Sequence, residues 1–76
     1  MRAKRLQSSL IDRIVFDDEA QTLAVWFRNS RKYLYHGVPR ALYDAFGTAQ
    51  SAGRFFNDSI KGHFRCEPLG RRYRPE

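Results

Sequence analysis

The chain has 76 residues, which is one small domain at most. Its 14 Lys and Arg against 8 Asp and Glu leave a net charge of +6, and no apolar run approaches the roughly 18 residues that span a bilayer. Cys66 is the only cysteine, which excludes an internal disulfide, and with His36 and His63 it offers no zinc-type spacing, so metal and cofactor chemistry have no foothold in the sequence.

Residues 1–7 carry Arg2, Lys4 and Arg5 and no acid, and read as a flexible basic tail. No long apolar core follows them, so they are not a secretory signal; together with the unpaired cysteine this predicts a cytoplasmic protein. Ser8 to Phe16 reads as a first strand, with Ile14 and Phe16 on one face and Ile11, Arg13 and Val15 on the other. Asp17-Asp18-Glu19-Ala20 is a polar turn. Gln21 to Arg28 is a second strand, in which Leu23, Val25 and Phe27 alternate with Thr22, Ala24, Trp26 and Arg28. Asn29-Ser30-Arg31 is read as a three-residue turn, and Lys32 to His36 as a third strand. That loop length pairs Phe27 with Tyr33 and Val25 with Tyr35, and so gathers the strong apolar and aromatic residues on one face.

Gly37-Val38-Pro39 ends the strand, and proline suits the start of a helix. Leu42, Tyr43 and Phe46 form a helical stripe, with Gly47 as its stop. Ser51 is the expected N-cap of a second helix whose apolar side holds Phe55, Phe56, Ile60 and Phe64. Gly53 in its first turn suggests close packing. Pro68, Gly70 and the arginine-rich end read as a second loose tail. The expected fold is α+β: a three-stranded antiparallel sheet followed by two helices on one face, over residues 8–66, with basic tails at 1–7 and 67–76. The basic excess falls in those ends, because 8–64 holds seven Lys and Arg against six Asp and Glu.

Several blocks together resemble the KTSC domain. They are Ser8, Ser9, Ile11, Ile14, Phe16 and Asp17; then Leu23, Val25, Phe27, Tyr33, Tyr35, Val38, Pro39 and Tyr43; then Ala49, Ser51, Gly53, Phe55, Phe56, Asn57 and Ile60. That family is named for its place at the C-terminal end of some lysyl-tRNA synthetases, and it also occurs alone in small bacterial and phage proteins. The resemblance implies the β-β-β-α-α order and, through the synthetases, nucleic-acid binding. It supplies no set of functional residues. Phe16 and Phe55 stand where the family commonly has Tyr, and Ser30 where a turn Gly is usual, so Asn29 is expected to take any left-handed conformation there.

If the helices cover one face, the other exposes Trp26, Leu34, Val15 and Ile11 together, with Trp26 opposite Leu34, Arg28 opposite Lys32, and Ala24 opposite His36. An apolar patch ringed by charge marks an interface. Nucleic acid is the first partner expected: Trp26 as a stacking platform, with Arg13, Arg28 and Lys32 meeting phosphates. Arg71 and Arg72 in the basic end add arginine-rich contacts. The alternative is a homodimer or an adaptor that uses the same sheet face. Catalysis has little support. The Asp17-Asp18-Glu19 cluster suits a solvated turn, Ser8-Ser9 has no His or Asp partner, and Cys66 with His63 lacks a third group. Arg54 and Lys61, with His63 nearby, could aim at phosphate but read first as a solvated helix face, and Asn57 reads as a buried hydrogen-bonder. The sequence therefore predicts a non-enzymatic nucleic-acid-binding domain with no metal, no cofactor, no membrane contact and no evident small-molecule substrate.

Overall fold

Period-two alternation gives the three expected central strands, and a further strand closes each edge of the sheet. The computed structural model describes residues 1–69. In chain order these hold β1 (Arg2–Arg5), β2 (Ile11–Asp17), β3 (Thr22–Phe27), β4 (Lys32–His36), α1 (Arg40–Thr48), α2 (Ala52–Phe55), a π-helical turn over Phe56–Ile60, and β5 (Cys66–Pro68). The sheet is five-stranded, in the order β1-β2-β3-β4-β5, and every neighbouring pair is antiparallel. The three-stranded expectation is thus corrected to five. β1 and β5 lie in stretches whose composition reads as tail: three of the four residues of β1 are Arg or Lys, and β5 contains Pro68. Both choices are understandable in edge strands, where charge and proline block further pairing.

The β3–β4 hairpin closes with Phe27 N–H donating to Arg31 O at 2.8 Å and Ser30 N–H to Phe27 O at 3.1 Å. The three-residue loop is Arg28-Asn29-Ser30, one position earlier than expected, so the register is Val25↔Tyr33 and Leu23↔Tyr35. This is two residues away from the predicted pairing. A two-residue slip keeps each side chain on its face, so the predicted inner face survives while its partners change. Ser30 itself, not Asn29, takes the left-handed conformation, at φ 72°. Asn29 contributes through its side chain, whose Oδ1 accepts from Arg31 N–H at 3.1 Å.

A bulge between Ile11 and Arg13 corrects the first strand in turn. Asp12 is the inserted residue, and it reverses the alternation on its N-terminal side. Ile11 therefore faces the core and is fully buried, while Arg13 stays on the opposite face. The core forms between that inner face and the helices: Ile11, Ile14, Phe16, Leu23, Val25 and Tyr35 from the sheet meet Val38, Tyr43, Phe46, Phe56 and Ile60. The stacked pair Phe16–Tyr43, 5.4 Å between centroids, joins the sheet to α1, and the stacked pair Phe46–Phe55, at 5.2 Å, joins α1 to α2.

Pro39 occupies the N-cap of α1. The helix runs through Gly47 rather than stopping there; Gly47 instead makes room for β1, because a Cβ on it would lie 2.6 Å from Lys4 Cδ. Ser51 caps α2 as expected, its Oγ accepting from Arg54 N–H at 3.3 Å. A Cβ on Gly53 would meet Leu10 Cδ2 at 3.4 Å, so the close neighbour there is a side chain. The predicted long second helix is instead one α turn followed by the π turn, in which Lys61 N–H donates to Phe56 O at 2.8 Å. No helix among the described residues is long and apolar enough to cross a membrane.

Candidate functional site

The face of the sheet turned away from the helices carries a row of four residues from four adjacent strands. Arg5 in β1 is opposite Arg13 in β2, Arg13 is opposite Trp26 in β3, and Trp26 is opposite Lys32 in β4. Strands lie about 4.8 Å apart, so the row spans about 14 Å. The Arg13 guanidinium carbon sits 4.7 Å from the Trp26 ring centroid, a cation–π contact that fixes the arginine's direction. Arg5 is exposed, whereas Arg13, Trp26 and Lys32 are half-buried. Arg5, Arg13 and Lys32 have no carboxylate partner among the described residues. The buried Nε of Arg13 also has no hydrogen-bond partner among the described residues.

The next row on this face is Ala3, Val15, Ala24, Leu34 and Glu67. The expectation that Trp26, Leu34, Val15 and Ile11 are exposed together is corrected here. Ile11 lies in the core, Val15 is 2% exposed and Ala24 fully buried, and Trp26 and Leu34 are half-buried. The pairings also differ: Trp26 faces Lys32 and Ala24 faces Leu34, while His36 faces Thr22. The register shift, not a change of face, is the reason.

Arg28 is placed apart from the row. Its Nη1 donates to Asp12 Oδ1 at 3.0 Å, its Nε to Ser8 O at 2.9 Å and its Nη2 to Leu6 O at 3.2 Å. It ties the β1–β2 connection to the bulge, so most of its hydrogen-bonding capacity is used within the fold. Between Arg28 and the row lies an open depression of about 400 Å³, lined by Asp12, Trp26, Arg28 and Lys32 among others. The structure thus brings Arg13, Trp26 and Lys32 together and adds Arg5. Arg71 and Arg72 lie outside the described residues. Arg5 was masked in the sequence by its basic neighbours; the alternation of Ala3 and Arg5 against Val15 and Arg13 is the signal that places it.

Other polar groups singled out in the sequence are occupied by local structure. Asp17 Oδ1 accepts from the N–H groups of Glu19 and Ala20, and Asp18 pairs with Arg2 at 3.0 Å. Ser8 Oγ accepts from Leu10 and Ile11 N–H. Asn57 is exposed rather than buried. Cys66 is exposed on edge strand β5, opposite Tyr35. Burial, followed by the Cys66 thiol, pushes the Tyr35 hydroxyl up to about 12. Among the described residues no three His, Cys, Asp or Glu side chains group closely enough to hold a metal.

The KTSC domain model matches residues 7–64. A protein of Tsukamurella paurometabola is 38% identical over 64 residues, 84% of this chain and 96% of its own length. A lysine–tRNA ligase of Nostoc punctiforme is 33% identical over 63 residues, covering 83% of this chain but only 11% of the ligase. Among solved structures, a KTSC domain protein from Yersinia pestis superposes with a TM-score of 0.86 at 38% identity, over 91% of this chain and 97% of the other.

Proposed function

This chain belongs to the KTSC domain family, and from that premise we propose that it is a non-enzymatic domain that binds nucleic acid through the row Arg5–Arg13–Trp26–Lys32. The observation that carries the reading is the placement of Arg5 directly opposite Arg13. Like charges opposite each other across a strand pair are destabilising, and a guanidinium donor with no partner adds to that. A phosphate laid across the two would offset both terms. Lys32 extends the charge beyond Trp26, matching a polyanion more than a single small anion. Trp26 serves as the ring that holds Arg13 in place. The relative named lysine–tRNA ligase gives the reading an independent direction.

The second reading is a homodimer or adaptor docked on the same face. It has less to stand on, since the apolar centre of that face, Val15 and Ala24, is buried. The edge strand β1 carries three cations in four residues, which discourages strand-to-strand pairing. The test is a titration of a labelled oligonucleotide at low and at higher salt, read by anisotropy, with sizing chromatography beside it. The expected result is binding that salt weakens and that the triple variant Arg5→Gln, Arg13→Gln, Lys32→Gln abolishes without loss of circular dichroism. No binding at low salt overturns the reading. A dimer on sizing that Trp26→Arg dissolves would then establish the alternative.

A further inference from the structure

On the helix side of the β3–β4 hairpin lies an open groove of about 330 Å³, at the small end of ligand-site volumes. Its floor is aromatic. Phe27 and Tyr33, both half-buried, meet edge to face with centroids 6.0 Å apart, and Phe27 rests on Phe56 at 5.2 Å. Its rim is cationic. Arg31 and Lys61 both line it and are exposed, neither has a carboxylate partner among the described residues, and no Asp or Glu lines the groove. Two amides complete it. Asn29 uses its Oδ1 on the Arg31 N–H, which leaves its two N–H donors, and Asn57 is exposed with both its donor and acceptor groups available. Asn57 and Lys61 reach the groove from the π turn and the residue that ends it, and a single widened turn of this kind is often found at functional positions.

We infer that this groove binds a nucleoside monophosphate, with the base against Phe27 and Tyr33 and the phosphate between Arg31 and Lys61. Each half of the ligand has its own complement: aromatic rings to stack on, and two cations with no carboxylate partner among the described residues. Amides beside a ring floor supply the paired donor and acceptor that a base edge requires. The same chemistry is carried by a free mononucleotide or by the phosphorylated end of a strand. The inference does not rest on the Arg5–Arg13–Trp26–Lys32 row, which lies on the opposite face of the sheet.

The experiment is a titration of the isotope-labelled chain with adenosine monophosphate, uridine monophosphate, adenosine and inorganic phosphate, followed by amide chemical shifts. The expected result is that a monophosphate moves the resonances of Asn29, Arg31, Asn57 and Lys61 and leaves those of Arg13 and Lys32 in place. Adenosine and phosphate alone bind at least tenfold more weakly. Arg31→Gln or Lys61→Gln, both at exposed positions, weakens the monophosphate by about tenfold, as expected for the loss of one charge-assisted contact. Adding a short oligonucleotide with and without a terminal phosphate separates the two sources: tighter binding of the phosphorylated one at the same resonances identifies a strand end, and binding of the mononucleotide alone identifies a free nucleotide. Shifts confined to the opposite face, no shifts, or equal response to inorganic phosphate each overturn the inference, and none of them counts against oligonucleotide binding by the row.

Discussion

Neutralising the row should change how binding depends on salt, by an amount the structure sets. Arg5, Arg13 and Lys32 are three cations in register on β1, β2 and β4, none held by a carboxylate among the described residues. If each meets one phosphate, three counterions' worth of charge is displaced. The slope of log affinity against log salt then carries about −2 from these residues on a single strand and about −2.7 on a duplex. Replacing one cation with Gln should reduce the steepness by about 0.7 or 0.9 respectively, and replacing all three should remove the whole contribution. The assay is fluorescence anisotropy with a labelled oligonucleotide over a salt series. Arg40→Gln is the control, since Arg40 pairs with Asp44 along α1, and it should leave the slope unchanged. A slope that the triple variant does not alter, in a chain that stays folded, would refute the reasoning. So would an Arg40→Gln effect as large as that of Arg13→Gln.

Four further expectations follow from the fold. Arg28→Ala removes the clamp on Asp12, Ser8 O and Leu6 O; its ion pair is exposed and contributes little, so the loss is about 1–2 kcal/mol, measured by urea denaturation, with the salt slope of binding retained. Ser30→Gly relieves a left-handed residue at φ 72°, and should raise stability by about 0.5–1 kcal/mol in the same assay. Tyr35 is raised by burial to about 12 in the folded chain, against about 10 when unfolded. The fold therefore favours the neutral hydroxyl: that contribution is complete below pH ~10 and is lost as the pH rises toward ~12, so the denaturation midpoint should fall across that window. Cys66→Ala should lower the Tyr35 midpoint in a tyrosinate absorbance titration while leaving it raised, since burial is the larger cause.

The central hairpins and the first helix were legible because their signals are local. Leu23, Val25 and Phe27 alternate, Tyr33 and Tyr35 alternate, and Leu42, Tyr43 and Phe46 share a helical face. What escaped depends on partners distant in sequence. Nothing within Arg2–Arg5 marks a strand; it becomes one because β2 offers an unpaired edge, 13–16. Cys66–Pro68 is three exposed residues whose strand character comes from Tyr33, Leu34 and Tyr35. The hairpin register was missed by two because the left-handed position fell on Ser30, a residue with no marked preference for it, rather than on Asn29 or a glycine. Gly47 was misread as a stop because its role is to admit Lys4, a contact between the chain's first strand and its first helix. The site was half legible for the same reason: Arg13, Trp26 and Lys32 sit on recognisable strands, whereas Arg5 sits on one that only the fold defines.

The bulge is where fold and site depend on each other. Were Asp12 paired in the ladder rather than bulged out of it, strict alternation would set Ile11 and Arg13 on the same face, as the sequence alone predicts. One of them would then be misplaced: either the core would lose a fully buried isoleucine or the row would lose its middle cation. The insertion resolves that conflict, and the hydrogen bonds around it hold it in place. Leu6 N–H donates to Asp12 O at 3.0 Å, Arg28 N–H donates to Leu10 O at 2.9 Å, and the Arg28 side chain grips Asp12 Oδ1. Because two of these bonds are backbone to backbone, the register of Arg13 against Trp26 does not hang on the Arg28 side chain alone. Arg28 therefore acts on the row only by stiffening it, and Arg28→Ala should separate stability from electrostatic binding. A fall in salt slope equal to that of Arg13→Gln would mean instead that Arg28 meets phosphate directly, and that its bonds to Asp12, Ser8 and Leu6 yield when it does.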